Sequence, residues 1–180
     1  MANGYGVERK AVMYNDFIVV GPAADPAIVK GMTDASDALT TIAVVKALFF
    51  SRGDDSGTHN KEKALWKEAG ITPEGDWYQT TGQGMGETLT IADQKGGYTL
   101  ADRGTYLSKK EALSLETLVE GDKALFNQYH VMTVKDAKNA QGGTDFMNWI
   151  VSAPAQELIG SFGVEKFGQP LFIPNAGQVE

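Results

Sequence analysis

Apolar and polar positions alternate along this chain in short blocks that repeatedly read as strand, turn and helix. Tyr14 to Gly21 is a continuous apolar run stopped by Gly21-Pro22, the pattern of a buried strand. Asp25-Pro26 predicts a helical turn. Asp34 to Ala47 predicts a longer helix, weakened by Thr40-Thr41. The apolar run Val44 to Phe50, broken by Lys46, predicts a short strand over Leu48 to Ser51. A polar, Ala/Lys/Glu/Leu-rich stretch from Asn60 to Ala69 then predicts a second helix, with Gly70 just beyond its end.

The cycle repeats. Trp77 to Thr81 is extended, and the glycine-rich turn Gly82 to Leu89 opens a third helix closed by Gly96-Gly97. Tyr98 to Leu100 predicts a strand, with Asp102-Arg103-Gly104-Thr105 as the loop after it. Leu125 to Val134 is extended again. A last helical stretch starts near Thr144, is interrupted by Pro154 and resumes from Ala155 to Gly160, before a tail rich in Phe, Gly and Pro. Such alternation argues for α/β architecture with mostly parallel sheets, whose ligands sit at the carboxyl ends of strands.

The turn Ser51-Arg52-Gly53-Asp54-Asp55-Ser56-Gly57-Thr58 falls at such an end. A helix leaves its first amides without intrahelical partners, and its N-terminus carries partial positive charge. Together these form a ready anion site. Only Arg9, Arg52 and Arg103 are arginines among sixteen basic residues, so Arg52 is a sparse forked cation beside that helix start. The plainer reading is a strand-to-helix loop in which Ser56 or Thr58 caps the helix. The tripeptide Arg52-Gly53-Asp54 also matches a cell-adhesion motif, which three residues reach by chance.

The second turn, Thr81 to Gly86, spaces glycines at every second residue. It fits neither the dinucleotide fingerprint nor the phosphate-loop motif, leaving a backbone open to close approach by a ligand. His59 is expected as an exposed first-turn residue. His130 lies in a predicted strand with no second ligand nearby, and Asp102-Arg103 reads as an internal ion pair. Trp66, Trp77 and Trp149 read as packing. No nucleophile, base and orienting group can be assembled, so an enzyme is not expected.

A net charge of −7 argues against nucleic acid and anionic membrane as partners, though not against a small anion. The absence of cysteine removes disulfides and thiolate metal sites. Met1 to Arg9 has no apolar core of a signal peptide, and no run reaches the roughly 18 apolar residues of a membrane helix.

Four segments in order, Val12 to Pro22, Ser51 to Thr58, Thr81 to Leu89 and Tyr98 to Leu107, closely resemble the tungstate-binding proteins of bacterial ABC importers. The resemblance covers essentially the whole chain. It implies a periplasmic-binding-protein-like α/β fold of two lobes with central mixed sheets, the oxyanion lying in the cleft between them. The second lobe would span 22–126, and the first would take 1–21 and 127–180, with Phe17 to Val20 and Gln128 to Val134 as crossing strands. The resemblance also implies the ligand-binding residues Arg52, Ser56, Gly57, Thr58, Gly82, Gln83 and Gly84. The family's first strand and its threonine/serine-rich turn have no counterpart here, so the first lobe is expected to be incomplete. The chain alone is expected to bind tungstate poorly.

The resulting expectation is a periplasmic or otherwise extracytoplasmic substrate-binding component. It would capture tungstate, or molybdate, and deliver it to an ABC permease in the membrane. No cofactor or metal counter-ion is expected, and the full-length protein would be a monomer. Alternatives are a molybdate, sulfate or phosphate receptor, or the anion-sensing effector domain of a transcriptional regulator.

Overall fold

The computed structural model describes residues 4–177. Residues 1–3 and 178–180, assigned above to the first lobe, lie outside the described residues. The chain forms two compact units, one of Asp16–Phe126 and one of Met1–Asn15 with Asn127–Glu180.

In the Asp16–Phe126 unit the later part of strand β1 (Gly6–Pro22) runs through the core. It pairs antiparallel with β4 (Thr99–Asp102) and with β5 (Leu115–Val119). Alternation along β1 sends Phe17 and Val19 to one face and Ile18 and Val20 to the other. Each face has its own buried cluster. Phe17 and Val19 join Leu39, Ile42, Phe49, Leu65, Trp66 and Leu100, whereas Ile18 and Val20 join Phe50, Met85, Leu89, Ala101 and Tyr106.

The first helix, α1 (Ala35–Val44), is capped by the Asp34 carboxylate, which accepts the Asp37 amide. Thr40 and Thr41 are tolerated because their hydroxyls bond back to the carbonyls of Ser36 and Asp37. The helix ends at the exposed Val44, three residues before the Ala47 expected from sequence. Strand β2 (Phe49–Ser51) leads into α2 (Gly57–Glu68), and β3 (Tyr78–Thr80) into α3 (Met85–Lys95). After β4 comes α4 (Arg103–Lys109).

Parallel pairing joins β2 to β3 and, through a bridge, Phe49 to Tyr98, whereas β1 runs antiparallel to β4, β5 and β7, so the mostly parallel sheet expected from local pattern is corrected to the mixed one that the family resemblance implied. Local pattern announces strand-turn-helix units but does not carry the direction of β1 relative to them. Asp25-Pro26 forms tight turns instead of a helical one, with the Asp25 amide bonded to the Pro22 carbonyl. The segment Asp102 to Thr105 is a helix start, not a loop: the Asp102 carboxylate accepts the Thr105 amide at 2.8 Å. Arg103 therefore does not pair with Asp102. It donates to both oxygens of Asp16 at 2.8 and 2.6 Å and to Glu120 at 2.7 Å. Lys61, half-buried on α2, donates to the carbonyls of Ala124 and Phe126 at 2.8 and 3.0 Å.

In the other unit, the first part of β1 pairs with β6 (Phe126–Val134) and, antiparallel, with β7 (Ile173–Pro174). Helices α5 (Ala140–Ile150), α6 (Ala153–Ser161) and α7 (Val164–Phe167) complete it. The helical stretch starts earlier than Thr144, and Pro154 lies in the first turn of α6, where its missing N–H costs nothing. Met147, Ala155 and Ile159 are buried, while Phe146, Trp149, Leu158 and Phe162 are exposed. Among the described residues no helix is long and apolar enough to cross a membrane.

Gly96 and Gly97 close α3 for different reasons. Gly96 adopts a left-handed conformation at φ 64°. Gly97 lets β4 begin against β2: a Cβ there would sit 2.4 Å from the Phe50 ring and 3.0 Å from the Leu48 carbonyl oxygen. Gly97→Ala is expected to destabilise the fold by about 1–3 kcal/mol through overpacking. Urea unfolding would read this as a lower midpoint, and an unchanged midpoint would contradict it.

Candidate functional site

The residues Arg52 to Asp55 carry the chain from the buried end of β2 into α2. Gly53 turns with φ 63°, and its missing Cβ admits Thr80, whose own Cβ lies 2.8 Å from where that atom would be. Helix α2 begins at Gly57, three residues before the Asn60 expected from sequence, so Gly57 and Thr58 belong to its first turn. Ser56 is the cap: its hydroxyl accepts the His59 amide at 3.3 Å, and its carbonyl accepts the Asn60 amide at 2.8 Å. The capping role weighed above for Ser56 is real. It still leaves the Gly57 and Thr58 amides, for which helix geometry provides no carbonyl. Thr58 is buried.

The second glycine-rich turn lies alongside the first. Beyond the paired strands the Thr81 amide donates to the Ser51 carbonyl at 2.8 Å, and the Gly82 amide to the Arg52 carbonyl at 2.9 Å. The Gln83 amide donates to the Thr81 hydroxyl at 3.3 Å. The amides of Gly82 and Gln83 are therefore spent inside the paired turns and shape the site without being free donors. Gly84 is the N-cap of α3 and offers no side chain, so the first-turn amides of Met85, Gly86 and Glu87 are left uncapped by it.

The glycine-rich turn read from the sequence takes in these three residues; what sequence reasoning missed is Lys109. The Lys109 side chain packs on Gly86, its Cε 2.7 Å from where a Cβ would be. The glycine itself was the available signal of close approach; the identity of what approaches was not in the local pattern.

Arg52 donates from Nη2 to Asp54 Oδ2 at 2.6 Å, and Asp54 Oδ1 accepts the Ser56 amide at 3.2 Å. Hydrogen bonding to Ser56 first, and then to Arg52, holds the Asp54 carboxyl below its ordinary value against partial desolvation. Asp55 pairs with Lys63 at 2.7 Å. His59 is not exposed as expected: its side chain is 14% accessible, and its Nδ1 accepts the Asp55 amide at 3.0 Å.

Beneath the turns lies a buried carboxyl that sequence reasoning also missed. Glu62 is 1% exposed and accepts from the Tyr78 hydroxyl at 2.7 Å and the Trp66 indole at 3.2 Å. Both rings pack on Phe49, Tyr78 stacked and Trp66 edge-on. The signal was periodic: Thr58, Glu62, Leu65 and Trp66 recur on one face of α2. Burial pushes the Glu62 carboxyl up, outweighing the hydrogen bonds it accepts. Of the other tryptophans, Trp77 is partly buried against the same cluster and Trp149 is exposed.

Residues 2–154 match the PBP superfamily domain. The sequence is 55% identical over 184 residues to the tungstate-binding protein TupA of Peptoclostridium acidaminophilum, covering 99% of this chain and 64% of that relative's length. The fold is similar to the tungstate-binding protein TupA from Desulfovibrio alaskensis G20, with TM-score 0.87, 46% identity and coverage of 97% of this chain and 73% of that one. It is also similar to the tungstate ABC transporter structure from Geobacter sulfurreducens, with TM-score 0.75 and 44% identity over 89% of this chain and 70% of that one.

The buried Glu62 carboxyl gives a pH dependence with a defined sign. Its folded-state value is raised, so above the ordinary carboxyl range the folded chain holds a proton that the unfolded chain has lost. Stability from this group falls as pH rises through that window and levels off above the raised value. Glu62→Gln removes the titration. Its stability relative to the parent, from urea unfolding between about pH 4 and about pH 8, is expected to improve with pH. A difference that stayed flat would contradict the assignment.

Proposed function

This chain belongs to the PBP superfamily, among the tungstate-binding proteins of bacterial ABC importers, and we propose that it captures tungstate or molybdate outside the cytoplasm for delivery to a membrane permease. The observation that carries the proposal is the pair of helix starts, α2 and α3, at the carboxyl ends of two adjacent parallel strands. A fully deprotonated tetrahedral dianion has only acceptor oxygens, and these turns offer donors: the Gly57 and Thr58 amides, the Thr58 hydroxyl, the first turn of α3 and Arg52. Ser56, Gly82, Gln83 and Gly84 shape the turns that present them. In this reading the donors and Arg52 compensate the ligand's charge, no metal counter-ion or cofactor takes part, and no bond of the ligand is made or broken.

Discrimination follows from size and protonation. Sulfate is too small to reach all fixed donors at once, which leaves buried amides unpaired at about 1–3 kcal/mol each. Phosphate retains a proton near neutrality and requires an acceptor carboxylate, and the two carboxylates of the turn are already engaged, Asp54 by Arg52 and the Ser56 amide and Asp55 by Lys63.

Titration calorimetry on the full-length protein tests the reading. Arg52→Gln is expected to weaken tungstate binding by about 1.5–3 kcal/mol, the scale of a hydrogen bond to a charged group, with the fold intact. Unchanged affinity would take Arg52 out of the site. Competition against bound tungstate is expected to show displacement by molybdate but not by sulfate or phosphate; equal displacement by sulfate would sink the assignment.

A further inference from the structure

A guanidinium on a flexible stem does not aim itself; something must hold it. Here the holder is two residues away. Asp54 bridges the Arg52 Nη2 at 2.6 Å and the Ser56 amide at 3.2 Å, tying the guanidinium to the residue immediately before α2. The two side chains are largely enclosed, Arg52 at 18% and Asp54 at 24% accessibility. The Arg52 Nε is buried and has no hydrogen-bond partner among the described residues. One contact therefore fixes the fork while another of its donors stays unspent.

We propose that Asp54 is the positioning residue for anion capture, its carboxylate holding Arg52 at the start of α2 so that the fork and the Gly57 and Thr58 amides meet one oxyanion. The inference rests on the reading of Arg52 as a tungstate contact. It makes a claim of sign. Coulomb repulsion alone says that a carboxylate beside an anion site weakens binding, so its removal would tighten it. Positioning says the reverse: an unheld arginine must be ordered at the moment of capture, and that ordering opposes binding.

Asparagine separates the two roles of Asp54. Its Oδ1 accepts the Ser56 amide as the carboxylate does, so the turn is kept. The atom facing Arg52 becomes an amide nitrogen, a donor set against a donor. Asp54→Ser is a second variant, since its hydroxyl also accepts the Ser56 amide but does not extend to Arg52.

The experiment is tungstate titration of the full-length protein as parent, Asp54→Asn, Asp54→Ser, Arg52→Gln and the Arg52→Gln/Asp54→Asn double variant, each checked for an unchanged melting temperature without ligand. Asp54→Asn and Asp54→Ser are each expected to raise Kd by about tenfold, and Asp54→Asn to add nothing further in the Arg52→Gln background. Unchanged or tighter binding in the Asp54 variants overturns the inference. So does an equal loss with and without Arg52, because Asp54 would then act on its own. If Arg52→Gln binds normally, the contact reading and this inference fall together. If Arg52→Gln is weakened while the Asp54 variants are neutral, this inference falls alone.

Discussion

Two backbone hydrogen bonds, Thr81 amide to Ser51 carbonyl and Gly82 amide to Arg52 carbonyl, organise the rest of the candidate site. They extend the parallel pairing of β2 and β3 past the strands themselves, so the two turns travel together before each opens its helix. Without them, each helix start would be an ordinary strand-to-helix junction with a few solvated amides. With them, two sets of donors are anchored to one frame, which is the pre-organisation that anion capture requires. Gly53 is part of the same constraint, since a side chain there would collide with Thr80.

The frame is stiffened from below. β2 is buried at every residue, and Phe49 and Phe50 point into different clusters on the two faces of the sheet. Glu62 is a buried carboxyl among mostly apolar side chains, and it is held by the hydroxyl of Tyr78 and the indole of Trp66, with the Ser51 side chain beside it. A buried carboxyl destabilises unless its acceptor positions are used. Here that requirement links α2 to β3, the two elements that carry the two turns.

Much of this was legible from residue pattern. The strand-turn-helix succession, the glycine-rich turns and the sparse arginine beside one of them all depend on local chemistry, and the structure contains them. What was not legible depends on distant partners. The direction of β1 relative to β4 and β5, the pairing of Arg103 with Asp16 and Glu120, and the approach of Lys109 to Gly86 are decided by segments far apart in sequence. The amides of Gly82 and Gln83 are instructive for the same reason. Glycine-rich sequence marks backbone freedom, but whether a freed amide faces a ligand or a neighbouring loop is settled only when the second loop is in place.

Helix α2 begins with amides that no carbonyl of its own can protect, although Thr58 itself is buried. Most amides in a helix trade protons with solvent only when the helix opens, so their isotope exchange reports the stability of the element. Gly57 and Thr58 escape that rule. Their exchange is governed by whatever lies just outside the helix end, independently of whether the helix is folded. The feature that makes these two residues suitable as donors also makes their isotope exchange sensitive to any acceptor placed at the helix end, a readout that needs no substitution.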